Sequence, residues 1–178
     1  MGRYQEALDY IFGYVNYERQ ARYTYDAATL DLGRMHDLLA RIGRPQDSFR
    51  TVHVAGTKGK GSTAVFVESV LRTAGFRTGL FTSPHLHTFR ERIRVNGNLM
   101  QKRHLVDLLA RIRPAIEAVP GITAFEITTA LALRHFADSG AAWAVLEVGL
   151  GGRLDATNVV QPAVCGITSL SYDHMELL

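Results

Sequence analysis

The stretch Thr51-Val52-His53-Val54-Ala55-Gly56-Thr57-Lys58-Gly59-Lys60-Gly61-Ser62-Thr63 decides how the rest of the chain is read. A β-branched run enters a loop with three glycines and two lysines, and an apolar-periodic segment follows. Strand, glycine loop and helix in that order make a cradle for phosphate groups. The glycines let backbone N–H groups approach phosphate oxygens, and the helix start adds unpaired donors and a positive dipole end. Lys60 stands where an ammonium reaches the β- and γ-phosphates, and Ser62 or Thr63 offers a hydroxyl near Mg²⁺. The loop departs from the common G-x-x-x-x-G-K-[ST] pattern. Only two residues separate Gly56 from Gly59, and Gly61 follows Lys60 where Ser or Thr is usual. An ordinary glycine-rich turn is the bland alternative, and three glycines around one lysine weigh against it.

Towards the N-terminus, Ala7, Leu8, Ile11, Phe12 and Val15 recur at helical spacing within residues 4–18. Residues 20–33 read as irregular, and a second helix carries Met35, Leu38, Leu39 and Ile42 until Gly43 and Pro45 stop it. Beyond the glycine loop the spacing predicts a helix over 60–73 that buries Val65, Val67, Val70 and Leu71 in part. A strand over 78–82 follows and ends in Ser83-Pro84-His85-Leu86-His87. Strand, helix and strand in so short a span imply a right-handed crossover and a parallel sheet.

Arg90 to Val95 alternates and meets Asn96-Gly97, a hairpin signal, which puts Arg90, Arg92 and Arg94 on one solvated strand face. Leu105, Leu108, Leu109, Ile112 and Ile116 mark a helix ended near Pro120-Gly121. Thr123 and Glu126 have capping-box spacing at the start of another helix, which runs to Gly140. The apolar runs Ala141 to Val148 and Ala163 to Thr168 read as strands, the first central and covered on both faces. The fold class is α/β: a mostly parallel sheet flanked by helices and organised round a phosphate loop.

Composition narrows the function. With 178 residues, 47% of them hydrophobic, the chain can bury a substantial core, and its length favours one domain. Twenty basic against 17 acidic residues, dispersed along the chain with a formal charge of +3, argue against a nucleic-acid partner. No segment is apolar enough to span a bilayer, and Met1 to Glu6 lacks the apolar core of a signal peptide. The expected location is therefore the cytoplasm, with no membrane partner. Cys165 is the single cysteine, and its apolar surroundings read as those of a buried, inert thiol. The chain stops at Asp173 to Leu178, just after a strand-like run, and the expectation is the front part of a longer enzyme.

Glu147 is the most informative residue outside the glycine loop. A carboxylate at the end of an apolar strand needs a cation or hydrogen-bond donors. In phosphate-loop enzymes an acid there binds Mg²⁺ directly or through water, while pairing with Arg153 is the purely structural alternative. Ser83, Glu147 and His174 each stand at or just past the C-terminal end of a strand, where open parallel sheets bind ligands. His85-Leu86-His87 has no third zinc ligand nearby in sequence. Gly149-Leu150-Gly151-Gly152-Arg153-Leu154 lacks the final glycine and the following helix of a dinucleotide fingerprint, which excludes an NAD reading.

Four ordered motifs carry a resemblance over nearly the whole chain. They are His53 to Ser62, Thr82-Ser83-Pro84-His85-Leu86, Glu147 to Asn158, and Asp173-His174. Together they resemble the folylpolyglutamate synthase/dihydrofolate synthase family of the muramyl-ligase superfamily. The resemblance implies an ATP-dependent amide ligase that phosphorylates a folate or dihydropteroate carboxylate and joins L-glutamate to the acyl phosphate. By it, Thr57, Lys58, Gly59, Lys60, Gly61 and Ser62 hold ATP, and Ser83, Glu147 and His174 ligate Mg²⁺. Lys60, Glu147 and His174 form the catalytic set, and Lys58 replaces the Asn of many bacterial members. The pterin is met by Leu30, Asp31, Leu32, Gly33, by Thr123, Ala124, Phe125, Glu126, and by Arg153, Leu154, Asp155, Ala156.

The same resemblance implies that residues 1–178 are the N-terminal part of an ATP-binding domain of the Mur ligase type, incomplete and inactive alone. The rest of that domain, a lysine whose carbamylated form helps bind a second metal, and a C-terminal glutamate-binding domain would follow. The implied partners are small molecules, and a monomer is the expectation for the full-length protein. Two alternatives remain at this point. A muramyl-peptide ligase is opposed by the Ser83 to Leu86 and Thr123 to Glu126 motifs, and a non-catalytic ATP-binding module would switch shape without ligation.

Overall fold

The apolar runs become six strands of one sheet in the computed structural model, which describes residues 2–16 and 31–171. The strands are β1 (Arg50–Ala55), β2 (Thr78–Phe81), β3 (Ile93–Val95), β4 (Asn98–Leu99), β5 (Trp143–Glu147) and β6 (Val164–Ile167). Across the sheet their order is β4-β3-β2-β5-β1-β6. The four strands β2, β5, β1 and β6 run parallel, with Val145 of β5 opposite both Val52 and Leu80. β5 inserts between β1 and β2, so the two strands of the first crossover are not neighbours. Ala144, Val145 and Leu146 are wholly buried, because both faces of the sheet are covered at this strand.

Five α-helices lie among the described residues: α1 (Arg3–Phe12), α2 (Leu32–Arg41), α3 (Lys60–Thr73), α4 (Lys102–Glu117) and α5 (Ala124–Asp138). Side chains alternate across the strands, so Val52, Val54, Leu80 and Val145 meet Ala64 of α3 while Phe81 and Leu146 face the opposite layer. In that layer α5 packs against β2 and against α1, α2 and α4. It is apolar nearly all round, as a helix buried on every side must be, with Ile127, Ala130, Leu131, Leu133 and Phe136 fully enclosed. Each large apolar side chain so buried contributes about 1.5–3 kcal/mol. The first turn of α5 is thereby fixed against the sheet edge that carries the site.

Several expectations change. α1 ends at Phe12, where Gly13 caps it, and Val15 leaves the helix to form a parallel bridge with Thr123. The Val15 carbonyl accepts the Ala124 N–H at 2.9 Å, a tertiary contact that overrides the helical spacing of Val15. Asp31 is the N-cap of α2, accepting the Gly33 N–H at 2.7 Å, so Leu32 and Gly33 are helical rather than irregular. α3 turns Ala64 and Glu68 inward and leaves Val65 and Val70 exposed. Its rotation is set by polar bonds: the Glu68 carboxylate accepts the Thr78 hydroxyl at 2.5 Å and Arg72 Nε at 3.1 Å.

The alternating arginines do not share a strand face. Phe89–Arg92 is a 3₁₀ turn with a capping box between Thr88 and Glu91, and buried Arg92 donates to His85 Nδ1 at 2.8 Å. Asn96 and Gly97 do form the expected hairpin turn between β3 and β4, with φ of 49° and 74°. Cys165 is exposed, because β6 pairs on one side only and is the outermost strand of the described sheet. Among the described residues no helix is long and apolar enough to cross a membrane.

Candidate active site

Because β1, β2, β5 and β6 are parallel, their C-terminal ends deliver four loops to one edge of the sheet. β1 leads into Gly56 to Gly59, β2 towards Ser83, β5 into Glu147 and the turn 149–152, and β6 into 168–171. Ser83 and Glu147 converge there, as their positions in the sequence imply. Leu30 and His174 lie outside the described residues.

α3 starts from Gly59 in a left-handed conformation, φ 81°, with no side chain capping its first turn. Its leading N–H groups are thus on offer to a ligand or to another part of the chain. Glu147 meets two backbone N–H groups here: its carboxylate accepts that of Ser83 at 3.0 Å and stands close to that of Gly61. Only 5% of Glu147 is exposed. Burial pushes its pKa above the usual carboxylate range, and those two donors and the Lys60 ammonium oppose the rise. Arg153, its possible partner on sequence grounds, is exposed and not among these groups.

The departure of the loop from the common pattern now has a steric cause. A Cβ at Gly61 would stand 3.2 and 3.3 Å from the Glu147 carboxylate oxygens. A side chain at 61 and the acid of β5 compete for one space, and glycine resolves the conflict.

The far side of the loop is held by the segment after β6, which the motifs did not single out. The Thr57 N–H donates to the Ser169 carbonyl at 2.8 Å, and the Thr57 hydroxyl to the Ser171 carbonyl at 3.0 Å. The Thr168 hydroxyl donates to the Lys58 carbonyl at 2.8 Å. A cluster of hydroxyl residues immediately after an apolar strand was the available signal. The Lys58 and Ser62 side chains are exposed at the mouth of the loop, and Lys60 Nζ lies 3.4 Å from the Thr57 carbonyl.

On the other flank, Thr123 Oγ1 accepts the Glu126 N–H at 3.2 Å and Glu126 accepts the Thr123 N–H at 2.7 Å, the expected capping box. Arg34 of α2 reaches the same carboxylate at 3.2 Å, so the start of α2 with Asp31, Leu32 and Gly33 is tied to the start of α5. Burial raises the Glu126 pKa, and Arg34 and Thr123 pull against it. Ala124 is buried, while the half-buried Phe125 ring lies 5.9 Å from that of Phe81 and against Gly149. A Cβ at Gly149 would come within 2.5 Å of the Phe125 ring, so glycine here makes room for the aromatic.

The third expected group divides. Arg153 is exposed, Leu154 half-buried, and Ala156 and Asp155 buried. Asp155 accepts the Leu150 and Thr157 N–H groups, each at 2.9 Å, so its oxygens serve the loop itself. No cluster of three or more His, Cys, Asp or Glu occurs among the described residues. The oxygen donors Glu147 and Ser83 beside a phosphate loop nevertheless suit a hard cation that completes its shell with phosphate and water, as Mg²⁺ does.

The Mur ligase middle domain matches residues 54–178. The chain is 41% identical over 181 residues to the dihydrofolate synthase/folylpolyglutamate synthase of Bacillus subtilis, covering 98% of the chain and 40% of that relative. The structure of folylpolyglutamate synthase from Thermotoga maritima matches with a TM-score of 0.84 at 37% identity, over 95% of the chain and 38% of that structure. An FPGS–AMPPCP–folate complex matches with a TM-score of 0.87 at 37% identity, over 98% of the chain and 42% of its own. The chain therefore spans less than half the length of these relatives.

Proposed function

We propose, from the premise that this chain belongs to the Mur ligase middle-domain family and has dihydrofolate and folylpolyglutamate synthases among its relatives, that it is the nucleotide-binding front part of an ATP-dependent ligase. The acid is a folate or dihydropteroate carboxylate, and the amine is that of L-glutamate. One observation carries the reading: the buried Glu147 carboxylate is packed against Gly61 at the start of α3 and bonded to the Ser83 N–H. Phosphate cradle, acid and hydroxyl residue then form one rigid unit, which phosphoryl transfer to a carboxylate requires.

In this reaction a carboxylate oxygen of the acceptor attacks the γ-phosphorus of ATP, and the bond to the departing ADP breaks. The glutamate amine attacks the resulting acyl phosphate, and inorganic phosphate leaves as the amide forms and the amine loses a proton. Backbone N–H groups from Gly59 to Ser62 and the Lys60 ammonium receive phosphate oxygens. Glu147 and Ser83 would hold Mg²⁺, with His174 as a further ligand by resemblance; when bound, the ion neutralises charge developing on the phosphates. Thr168, Ser169 and Ser171 fix the loop so that little reorganisation accompanies transfer. Phe125 offers an aromatic face to the pterin, and Asp31 to Gly33 and Arg153 to Ala156 flank it on the acceptor side.

The test is phosphate release with ATP, Mg²⁺, L-glutamate and either dihydropteroate or tetrahydrofolate. The 178-residue chain alone binds Mg–nucleotide but gives no acceptor-dependent release. Joined to the C-terminal remainder of the Bacillus subtilis relative, it gives release with one or both acceptors. Turnover by the chain alone refutes the fragment assignment, and failure to bind nucleotide refutes the phosphate-loop assignment.

A further inference from the structure

Three polar side chains outside the phosphate loop form one buried chain of hydrogen bonds. His53 of β1 sits opposite Leu146 of β5, three residues before Gly56. His53 Nε2 lies 2.8 Å from Thr157 Oγ1. The Thr157 hydroxyl donates to Asp155 Oδ1, which also accepts the Thr157 N–H at 2.9 Å. Asp155 further accepts the N–H group of Leu150 at 2.9 Å. His53, Asp155 and Thr157 are 7%, 5% and 0% exposed.

Donor counting fixes the direction of this chain. Three donors converge on Asp155, which suits a carboxylate, and they oppose the burial that pushes its pKa up. A threonine hydroxyl has one hydrogen, and it goes to Asp155, so Thr157 Oγ1 accepts from His53. His53 is then the neutral tautomer with its proton on Nε2, and burial, which lowers its pKa, keeps it neutral.

The same volume filled with apolar side chains would need no such matching of donors and acceptors. A satisfied polar network in a core selects one geometry where apolar packing tolerates several. What this network spans is specific. One end is the strand that runs into the phosphate loop, and the other is the turn directly after Glu147, whose Gly149 lies against the Phe125 ring.

We propose that His53 and Thr157 are positioning residues for the ligase site: through Asp155 they fix the Leu150 amide, and so hold the turn between Glu147 and Phe125 at one place relative to the phosphate loop. The role rests on the reading of this edge as a phosphoryl-transfer site. It requires the hydroxyl of Thr157 rather than its bulk, and the N–H of His53 rather than its ring.

Two readouts on the chain itself test the assignment: amide hydrogen exchange by NMR, and the affinity for AMPPCP with Mg²⁺. Thr157→Val keeps the shape and removes the hydroxyl. The expected result is at least about tenfold faster exchange at Leu150 and about tenfold weaker nucleotide binding, the range seen when outer hydrogen-bonding partners of a site are removed. The Val148 amide, which donates to the Val54 carbonyl at 2.9 Å, keeps its protection and reports that the sheet is intact. Thr157→Ser and His53→Gln, which retain a hydroxyl and an N–H donor, restore both readouts to within about twofold, whereas His53→Leu behaves like Thr157→Val. Unchanged exchange or unchanged affinity in Thr157→Val overturns the proposal, as does Thr157→Ser being as damaging as Thr157→Val. If the wild-type chain binds no nucleotide, the phosphoryl-transfer reading falls, while the exchange data still judge the network.

Discussion

Replacing Gly61 by alanine sets a methyl group 3.2 and 3.3 Å from the two Glu147 oxygens, inside ordinary van der Waals contact. Something must yield by a few tenths of an ångström. The first turn of α3 is closed by the Thr63 N–H on the Gly59 carbonyl at 2.9 Å, so the carboxylate is the freer partner. A retreat of that size stretches its bond from the Ser83 N–H, now 3.0 Å. Hydrogen bonds to charged groups contribute about 1.5–3 kcal/mol, so losing part of one costs about 1 kcal/mol. Alanine in place of glycine inside a helix returns about 0.5–1 kcal/mol. The two effects nearly cancel, and the melting temperature moves by no more than about 2–4 °C for a chain of this size. Nucleotide binding does not benefit from that cancellation, because the displaced carboxylate is the group proposed to face the cation. Affinity for AMPPCP with Mg²⁺ falls about tenfold or more, the scale of misplacing a metal-site ligand. Calorimetric titration beside a thermal melt followed by circular dichroism measures both. An alanine variant that binds as tightly as the wild type would refute the competition between residue 61 and Glu147.

Arg34→Met strips the buried Glu126 of its guanidinium and costs about 3 kcal/mol at pH 8. The Glu126 pKa is already raised by burial and rises further without Arg34, so stability is retained near and below pH 4.5 and lost as pH climbs through the folded-state value. Urea unfolding at pH 8 and at pH 5 measures this, and an equal loss at both values contradicts it. Thr123→Ala removes the acceptor of the Glu126 N–H and costs about 1 kcal/mol, seen as a lower urea midpoint at constant slope. Thr123→Ser leaves the midpoint nearly unchanged, and a loss as large as that of alanine means that the methyl group, not the cap, matters. Glu91 accepts the N–H groups of Leu86, Thr88 and His87, which hold its pKa down to about 2 from 4.5. A depressed carboxyl supports the fold above pH 4.5 and loses that contribution as pH falls towards 2. Carboxyl ¹³C shifts followed through the acid range give its midpoint, and a value near 4.5 means that the loop after Ser83 is not anchored on Glu91.

The parts of the molecule legible in the sequence are those whose physics is local. The glycine loop, the Thr123–Glu126 capping box and the Asn96-Gly97 hairpin each depend on residues a few positions apart, and each is found where the pattern puts it. The unbroken apolar run of β5 likewise announces a strand covered on both faces, and its terminal acid is buried with it. Local patterns failed where a distant group took over. Val15 has helical spacing but pairs with Thr123, and Val65 and Val70 give way to Glu68 because Thr78 offers that carboxylate a hydroxyl. Arg92 has the alternation of a solvated strand residue, yet it is buried beside His85.

Local patterns thus establish the α/β class, the glycine loop between a strand and a helix, and an acid at the end of a buried strand, since glycine spacing, capping and apolar periodicity act within one element. Only the tertiary structure decided that β5 lies between β1 and β2, which brings Glu147 against Gly61 and turns an irregular loop spacing into a steric requirement. It alone joined Thr57 to Ser171, 114 positions away, and His53 to Thr157, 104 positions away. Bonds of that reach leave no period in the chain. They exist because parallel strands carry widely separated residues to one edge of the sheet, where a buried donor must find an acceptor.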